Sequence, residues 1–387
     1  MAQSTRGKNN TGTTAPTVSV VIPAYNAERW IGLTLDSVRA QTFTDFEVII
    51  VIDGAIDGTI DICRDYAAQD ARIIIHEIEN GGVARARNAG IAIARGEFIA
   101  PLDADDLWHP TRLALHVAAL RQHGDDYAMA YSPHISVNEA GIAGQISQSY
   151  CANGYAFGAH LCANFVGNGS GTTVRATALR AVGGYSPILR DKGGEGSEDY
   201  LVQSKLAYAY KIVCVPDLVI GYRRSEGNMS SNALRMRYSR LLMLTELEDF
   251  ATSFPHSVFL HPRALAVLGL MWQYVRRRQW RTSAALALEE SRHNPLVIVY
   301  TPFIMLETMR LTAMKLVRRI LRLMGGRAGH LDIPFAAVDP THHTPPPYPI
   351  GTRAFIWLYN RIERNIRRHD ANGSHRAWDT KAHGDEA

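Results

Sequence analysis

The sequence predicts an α/β fold with a mixed, mostly parallel central sheet and an α-helical C-terminal region, and three observations carry that expectation. Four segments between Val18 and Asp103 are dense in Val, Ile and Phe, residues at helical spacing follow the first three, and the connections are short. VSVVI (18–22) and FEVIIVID (46–53) are apolar at almost every position, as strands buried on both faces must be. RIIIHEI (72–78) and EFIAPLD (97–103) supply the third and fourth strands. After the first strand, Asn26 is placed to cap a helix carrying Ile31, Leu35 and Val38 at i, i+4 and i+7. Further helices are expected over residues 59–68, 83–94 and 111–123. In such sheets ligands bind outside the carboxyl ends of the strands, so the polar cluster after each strand is where chemistry is expected.

Beyond Pro110 the pattern loosens. YAMAYSPHISV is an irregular strand region, and residues 141–171, rich in Gly, Ser and Asn, read as a binding surface rather than a core. TTVRATALRAVGGY pairs a strand with a short helix stopped by Gly183–Gly184, and SEDYLVQSKLAYAYKIVCVP adds a helix and a strand. Residues 233–324 have helical composition, and TPPPYP (344–349) is a rigid linker before a basic aromatic segment. The expected divisions are a disordered tail over 1–16, a catalytic domain over 17–231 with halves 17–125 and 126–231, a helical region over 232–330, and a Pro-rich linker and basic tail over 331–387.

Composition bounds the function classes. With 387 residues, 46% apolar, the chain is long enough for one large domain and a smaller one and is not wholly disordered. The 41 basic and 37 acidic residues leave a formal charge of +4, which gives no electrostatic argument for a nucleic-acid binder. Cys63, Cys151, Cys162 and Cys214 are widely spaced, so neither a disulfide framework nor a zinc site is expected, and a reducing compartment fits. The first 16 residues lack the apolar core of a signal peptide, and the run Leu296–Leu306 is too short to span a bilayer. A cytoplasmic location is expected.

Five clusters could carry chemistry, and each also has a purely structural reading. In PAYN (23–26), Tyr25 could stack on a nucleobase, or the motif is simply a strand-to-helix turn. In IDGAIDGT (52–59), Asp53 could accept from a base N–H or a ribose hydroxyl, or bond its own backbone. LDADD (102–106) packs three carboxylates into four residues; a divalent cation would relieve their repulsion and offer sites to phosphate oxygens, and a solvated helix cap is the alternative. In GGVARARNAG (81–90), Arg85 and Arg87 near a helix start could neutralise phosphate or support the carboxylates, or form a basic face in water. In GEGSEDY (194–200), Asp199 is a candidate general base at a helix N-terminus, where acids are also favoured by the dipole.

In this order the clusters resemble family 2 glycosyltransferases of the GT-A, Rossmann-like nucleotide-sugar-binding fold. VSVVIPAYNAE, SVRAQTFTDFEVIIVIDG, NGGVARARNAG, FIAPLDADD and SEDY carry the likeness, and GNGSGTTVRATALRAVGGY and YRRSEGNMS look like its acceptor half. The resemblance implies an inverting, non-processive enzyme that moves a sugar from a nucleotide diphosphate sugar, a UDP-sugar for choice, to a hydroxyl of a glycan or lipid-linked acceptor in cell-surface polysaccharide biosynthesis. It implies that Tyr25 lies against the base with Pro23, Ala24 and Glu28 nearby, that Asp53 pairs with a uracil-type N–H, and that Arg87 sits near the diphosphate. Asp103 and Ala104 would address the donor, Asp105 with Asp103 would hold Mn²⁺ or Mg²⁺, Asp199 would be the base, and Glu198, Asp106 and Trp108 would support it or the acceptor. The family's paired acids and Ser are replaced here by Ile52–Asp53 and Ala55, and its YRxH-like element reads YRRS (222–225). QYVRR (273–277) lacks the Trp of processive synthases.

Residues 307–324 form a basic amphipathic pattern suited to an anionic membrane surface, deepened by Leu296–Leu306, against the alternative of a helix packed on the catalytic domain; 356–369 is a weaker stretch of the same kind. Two rival functions stand beside transfer. A catalytically silent relative that binds nucleotide or glycan would account for Ile52 and Ala55. A nucleotidyltransferase would need a glycine-rich basic loop that PAYNAE does not offer.

Overall fold

The computed structural model describes residues 15–147, 150–194, 196–225, 232–302, 333–341 and 350–372. The strand–helix alternation runs β1 (Val18–Ala24), α1 (Ile31–Arg39), β2 (Phe46–Asp53), α2 (Thr59–Gln69), β3 (Ile73–Ile78), α3 (Val83–Ile93) and β4 (Phe98–Pro101). It continues through β5 (Leu107–Trp108), α4 (Arg112–His123), β6 (Tyr127–Tyr131), β7 (His134–Val137), β8 (Ala143–Ile146), α5 (Phe157–Cys162) and β9 (Thr172–Arg175). Then come α6 (Ala176–Ala181), α7 (Ile188–Asp191), α8 (Glu198–Ala209), β10 (Lys211–Cys214) and β11 (Ile220–Arg223). Helices α9 (Ala233–Phe250), α10 (Ser257–Arg276), α11 (Trp280–Ser291) and α12 (Ile350–Asn372) follow.

A seven-stranded sheet in the order β10-β6-β9-β4-β1-β2-β3 is parallel except at β9, which runs antiparallel to both neighbours. A smaller sheet, β5-β11-β7-β8, flanks it. The apolar character of β1 and β2 has a geometric cause. Alternate residues point to opposite faces: Val21, Ile49 and Val51 enter one core with α3 and the C-terminal helices, while Val20, Ile22, Val48 and Ile50 enter another with Ile31, Leu35 and Val38 of α1. Ile52 belongs to the second core, so the residue standing where the family carries an acid is packed inside the protein.

Three expectations are corrected. Asn26 caps no helix: α1 begins five residues later, and Asn26 sits at φ 48° in a loop where its Oδ1 accepts the N–H of Ile56 at 3.0 Å. Asparagine tolerates that left-handed conformation better than most residues. Cys151 and Cys214 are joined by a disulfide with a Cα–Cα distance of 5.2 Å, where no bridge was expected, because the fold carries residue 151 to the end of β10. The stretch after 331 is also more than linker and tail. Phe335 and Val338 pack with Ile135 and Val137 against the smaller sheet, and α12 docks on α5. Glu363 of α12, almost wholly buried, accepts the N–H of Gly158 at 2.9 Å, and Tyr359 donates to the carbonyl of Val258 at 2.7 Å.

The basic amphipathic stretch 307–324 and the TPPPYP segment lie outside the described residues. Among the described residues no helix is long and apolar enough to cross a membrane.

Helix α3 approaches the sheet through Gly90, where a Cβ would lie 2.5 Å from Val21 Cγ1 and 3.1 Å from Val51 Cγ2. Gly90→Ala is therefore expected to lower stability by about 1–3 kcal/mol through overpacking, read as a lower urea midpoint at unchanged slope.

Candidate active site

The site is built outward from the end of β2. Gly54 turns at φ 64° with the backbone N of Asn80 only 2.9 Å from where a Cβ would stand, a close approach open only to glycine. That turn brings Asp53 against the loop before α3. Its carboxylate accepts from the N–H of Gly81 at 2.6 Å and of Gly82 at 2.9 Å, and its carbonyl accepts from Asn80 Nδ2 at 2.9 Å. An anion at a helix N-terminus satisfies donors that the helix leaves unpaired and complements its dipole. Asp53 thus serves as the anchor of α3, with both oxygens engaged, although it borders the cavity as well.

Arg87 projects from α3 and is 1% exposed. Its Nη2 donates to Asp103 Oδ1 at 2.6 Å. Nη1 lies 2.8 Å from Asp199 Oδ1 and 3.6 Å from Glu198 Oε1, and the guanidinium stands 4.9 Å from the ring of Tyr185. One buried cation therefore joins the acidic cluster after β4 to the acidic pair that starts α8. Gly169 permits this closeness, since a Cβ there would fall 2.7 Å from Asp199 Oδ1 and 3.2 Å from Arg87 Nη2. The backbone before the pair is held in an unusual shape: Gly196 and Ser197 both have positive φ (75° and 68°), and the Ser239 hydroxyl of α9 donates to the Gly196 carbonyl. A serine in the left-handed region is uncommon and costs energy, which the surrounding contacts must offset.

The acidic cluster divides into different roles. Asp106 is fully buried, accepting from the Ser170 hydroxyl at 2.6 Å and the Arg223 N–H at 2.9 Å; burial and the charges of Asp105 and Asp103 push its pKa well up. Trp108 is buried too, donating from Nε1 to the Ser170 carbonyl at 2.9 Å beneath the guanidinium of Arg112. Asp103 and Asp105 face the cavity. Burial, then the charge of Asp103, pushes Asp105 up to about 6. Burial likewise raises Asp199 to about 7, with Glu198 and Asp103 adding to the rise and Arg87 opposing it.

Around these groups lies a cavity of about 1460 Å³. It brings together Pro23, Ala24, Tyr25, Asp53, Arg87, Asp103, Ala104, Asp105, Glu198 and Asp199. Tyr25 is 53% exposed at its edge, free to lie against a planar ligand. Three expected residues are not among its walls. Glu28 instead accepts the N–H of Gly58 at 2.9 Å and so braces the start of α2, while Asp106 and Trp108 are internal struts beneath the site. Sequence reasoning passed over Gly169, Ser170 and Tyr185, which support the cluster, and Arg190 and the arginines of α9, which also line the cavity; the run GNGSG (167–171) was the one signal for the first two.

The donor set fits a hard divalent cation. Asp105 and Asp103 offer carboxylate oxygens toward the cavity, and Asp105 holds its proton too tightly for a carboxylate already neutralised by a partner. Among the described residues no three His, Cys, Asp or Glu side chains converge as a closed metal cage. Two carboxylates with the remaining positions left to waters and phosphate oxygens is how Mg²⁺ is ordinarily held in nucleotide sites.

Two outcomes are expected. Removing the guanidinium in Arg87→Ala leaves three carboxylates facing one another, costing about 3–5 kcal/mol in a urea titration at neutral pH. For Asp105, a folded pKa above the ordinary value means that its stabilising contribution is present at low pH and is lost as pH rises through about 6. Asp105→Asn should therefore stabilise the metal-free protein at pH 8, by about 1–2 kcal/mol, while abolishing any rise in melting temperature that Mn²⁺ gives the parent protein.

Residues 19–179 match the family model described as Glycosyl transferase family 2. The uncharacterized glycosyltransferase EpsJ of Bacillus subtilis (strain 168) is 46% identical over 91 residues, 24% of this chain and 26% of that protein. The putative glycosyltransferase EpsE of the same organism is 31% identical over 190 residues, 48% of this chain and 66% of that one. The chain thus spans about a quarter of the first of these relatives and about two thirds of the second. Among solved structures, S. aureus TarS shares the fold with a TM-score of 0.50 at 19% identity, over 65% of this chain and 43% of that chain.

Proposed function

The chain belongs to glycosyltransferase family 2, of the GT-A fold, and from that premise we propose that it transfers a sugar from a nucleotide diphosphate sugar, probe of choice a UDP-sugar, to a hydroxyl of a glycan or lipid-linked acceptor, with inversion, in cell-surface polysaccharide synthesis. One observation supports this reading above the others: Arg87 ties Asp103 and Asp199 together at the wall of one cavity, with Asp105 beside the first. Candidate diphosphate-binding carboxylates and a candidate base thus stand side by side at the edge of a space large enough for a nucleotide sugar.

In this reading Tyr25 covers the base, and the edge of β1 at Pro23 and Ala24 forms the floor of the nucleotide site. Asp103 and Asp105 hold Mn²⁺ or Mg²⁺, which when bound offsets the charge developing on the leaving diphosphate. Asp199 takes the proton from the acceptor hydroxyl as its oxygen attacks the anomeric carbon, and the bond to the diphosphate breaks on the opposite face. A carboxylate raised to about 7 is a better base at neutral pH than an ordinary one, because basicity and ionised fraction are both appreciable there. Arg87 keeps Asp199 aimed into the cavity and limits how far its pKa rises. We also propose that the protein touches an anionic membrane surface through 296–324. Of that stretch, 296–302 is described, and the exposure of Ile298 and Val299 there supports the contact.

The experiment is release of UDP from a panel of UDP-sugars with Mn²⁺ and its loss on adding EDTA; absence of release from every donor would favour the silent relative. Asp199→Asn is expected to keep donor KM while kcat falls by about 10²–10⁴-fold. The parent's kcat/KM should fall as pH drops below about 7, as Asp199 gains its proton.

A further inference from the structure

The cavity is electrically lopsided. Its carboxylates come from the ends of β2 and β4 and the start of α8, whereas α7 and α9 contribute Arg190, Arg235, Arg237 and Arg240 to the lining. Arg190 donates to the amide oxygen of Asn80 at 2.9 Å. Arg240 lies flat on Tyr200, the neighbour of the candidate base, 3.6 Å from the ring, and donates to Tyr200 Oη at 2.6 Å and more distantly to the Leu161 carbonyl at 3.4 Å. Arg237 reaches across to α10 over Gly269, where a Cβ would stand 3.1 Å from its Nη1, so the missing side chain makes room for it. Among the described residues neither Arg237 nor Arg240 has a carboxylate within ion-pairing distance, although the arginines of α3 find one: Arg87 binds three acids and Arg85 pairs with Asp191 at 2.8 Å. Two neighbouring guanidinium groups, one of them half buried, repel each other and invite an oxyanion that accepts from both. The wall between them is apolar, with Met236, Pro262 and Leu265.

Resting on the glycosyltransferase reading, we propose that this wall is an acceptor subsite for an anionic group, a phosphate or carboxylate carried by the acceptor next to the hydroxyl that is glycosylated, held by Arg237 and Arg240. The charge is placed one residue beyond Asp199 through Tyr200, so an acceptor anchored there presents its neighbouring hydroxyls to the base. Neutral acceptors would lack this anchor and would have to leave two like charges uncompensated.

The test uses the full chain, with and without UDP and Mn²⁺, titrated by calorimetry with methyl glucuronide against methyl glucoside, and with octyl phosphate against octyl glucoside. At least one anionic probe should bind about 10-fold or more tightly than its neutral partner, in the size range of a charge-assisted hydrogen bond. Arg237→Gln, on an exposed side chain, should remove most of that preference and Arg237→Lys should restore part of it. Preference for the glucuronide assigns the charge to the glycan, and preference for octyl phosphate assigns it to a lipid-linked phosphate. Equal binding of charged and neutral probes, displacement of the anion by UDP, or indifference to Arg237→Gln would each overturn the proposal. UDP release from the donor panel is scored separately: release without anion preference sinks the subsite alone, and anion preference without release sinks the transfer reading instead.

Discussion

Burying a guanidinium among three carboxylates is the constraint on which the candidate site depends. One positive charge cannot neutralise three negative ones, so the cluster carries an excess that must be held as a proton or matched by a cation. Burial raises Asp199 to about 7, and the surplus charge of Glu198 and Asp103 adds to that proton affinity against the pull of Arg87. Desolvation makes every such charge costly, and the protein accepts the cost because the same geometry leaves a basic carboxylate beside the cavity. Each neighbouring oddity serves this cluster: the glycine at 169 that admits two side chains, the left-handed turn at 196–197, and the hydroxyl of Ser239 that holds the turn in place.

A line of support runs from the sheet to this cluster. Gly54 lets β2 end against the Asn80 loop, Asp53 ties the loop's N–H groups, the loop starts α3, and α3 aims Arg87. On the other flank, Ser170 links the Asp103 N–H to the buried carboxylate of Asp106, which in turn holds the backbone of Arg223. The two acidic elements are far apart in sequence and are fixed independently before the guanidinium joins them.

The sheet was legible in the sequence because buried parallel strands must be apolar on both faces, and 18–22 and 46–53 have few other readings. The acidic clusters were legible by position, as polar runs at strand ends. Their division of labour was not. Asp105 and Asp106 are adjacent and identical in type, yet one faces the cavity and the other a hydroxyl and an N–H, a difference set by residues 170 and 223. Asp53 was read as a base or ribose contact or as bonding its own turn; its role as anchor of a helix was hidden because the donors it meets lie 28 and 29 residues downstream. Arg87 was read as neutralising phosphate or supporting the carboxylates; which carboxylates was hidden because its partners at 103 and 199 converge only in three dimensions. The Cys151–Cys214 bridge was missed for the same reason: 63 residues of separation hide a distance of 5.2 Å.

Helix α12 carries a last implication. The family-model match ends at residue 179, yet α5, inside that span, has its first turn held by Glu363, 205 positions away, and the backbone of Tyr359 lies against Gly158 so closely that no Cβ would fit. The cooperative unit is therefore larger than the unit of sequence similarity. During synthesis α5 emerges long before the segment that covers it, and its buried N–H must wait on solvent or a chaperone until the later helix arrives. A boundary drawn from similarity alone would cut through a single packed body.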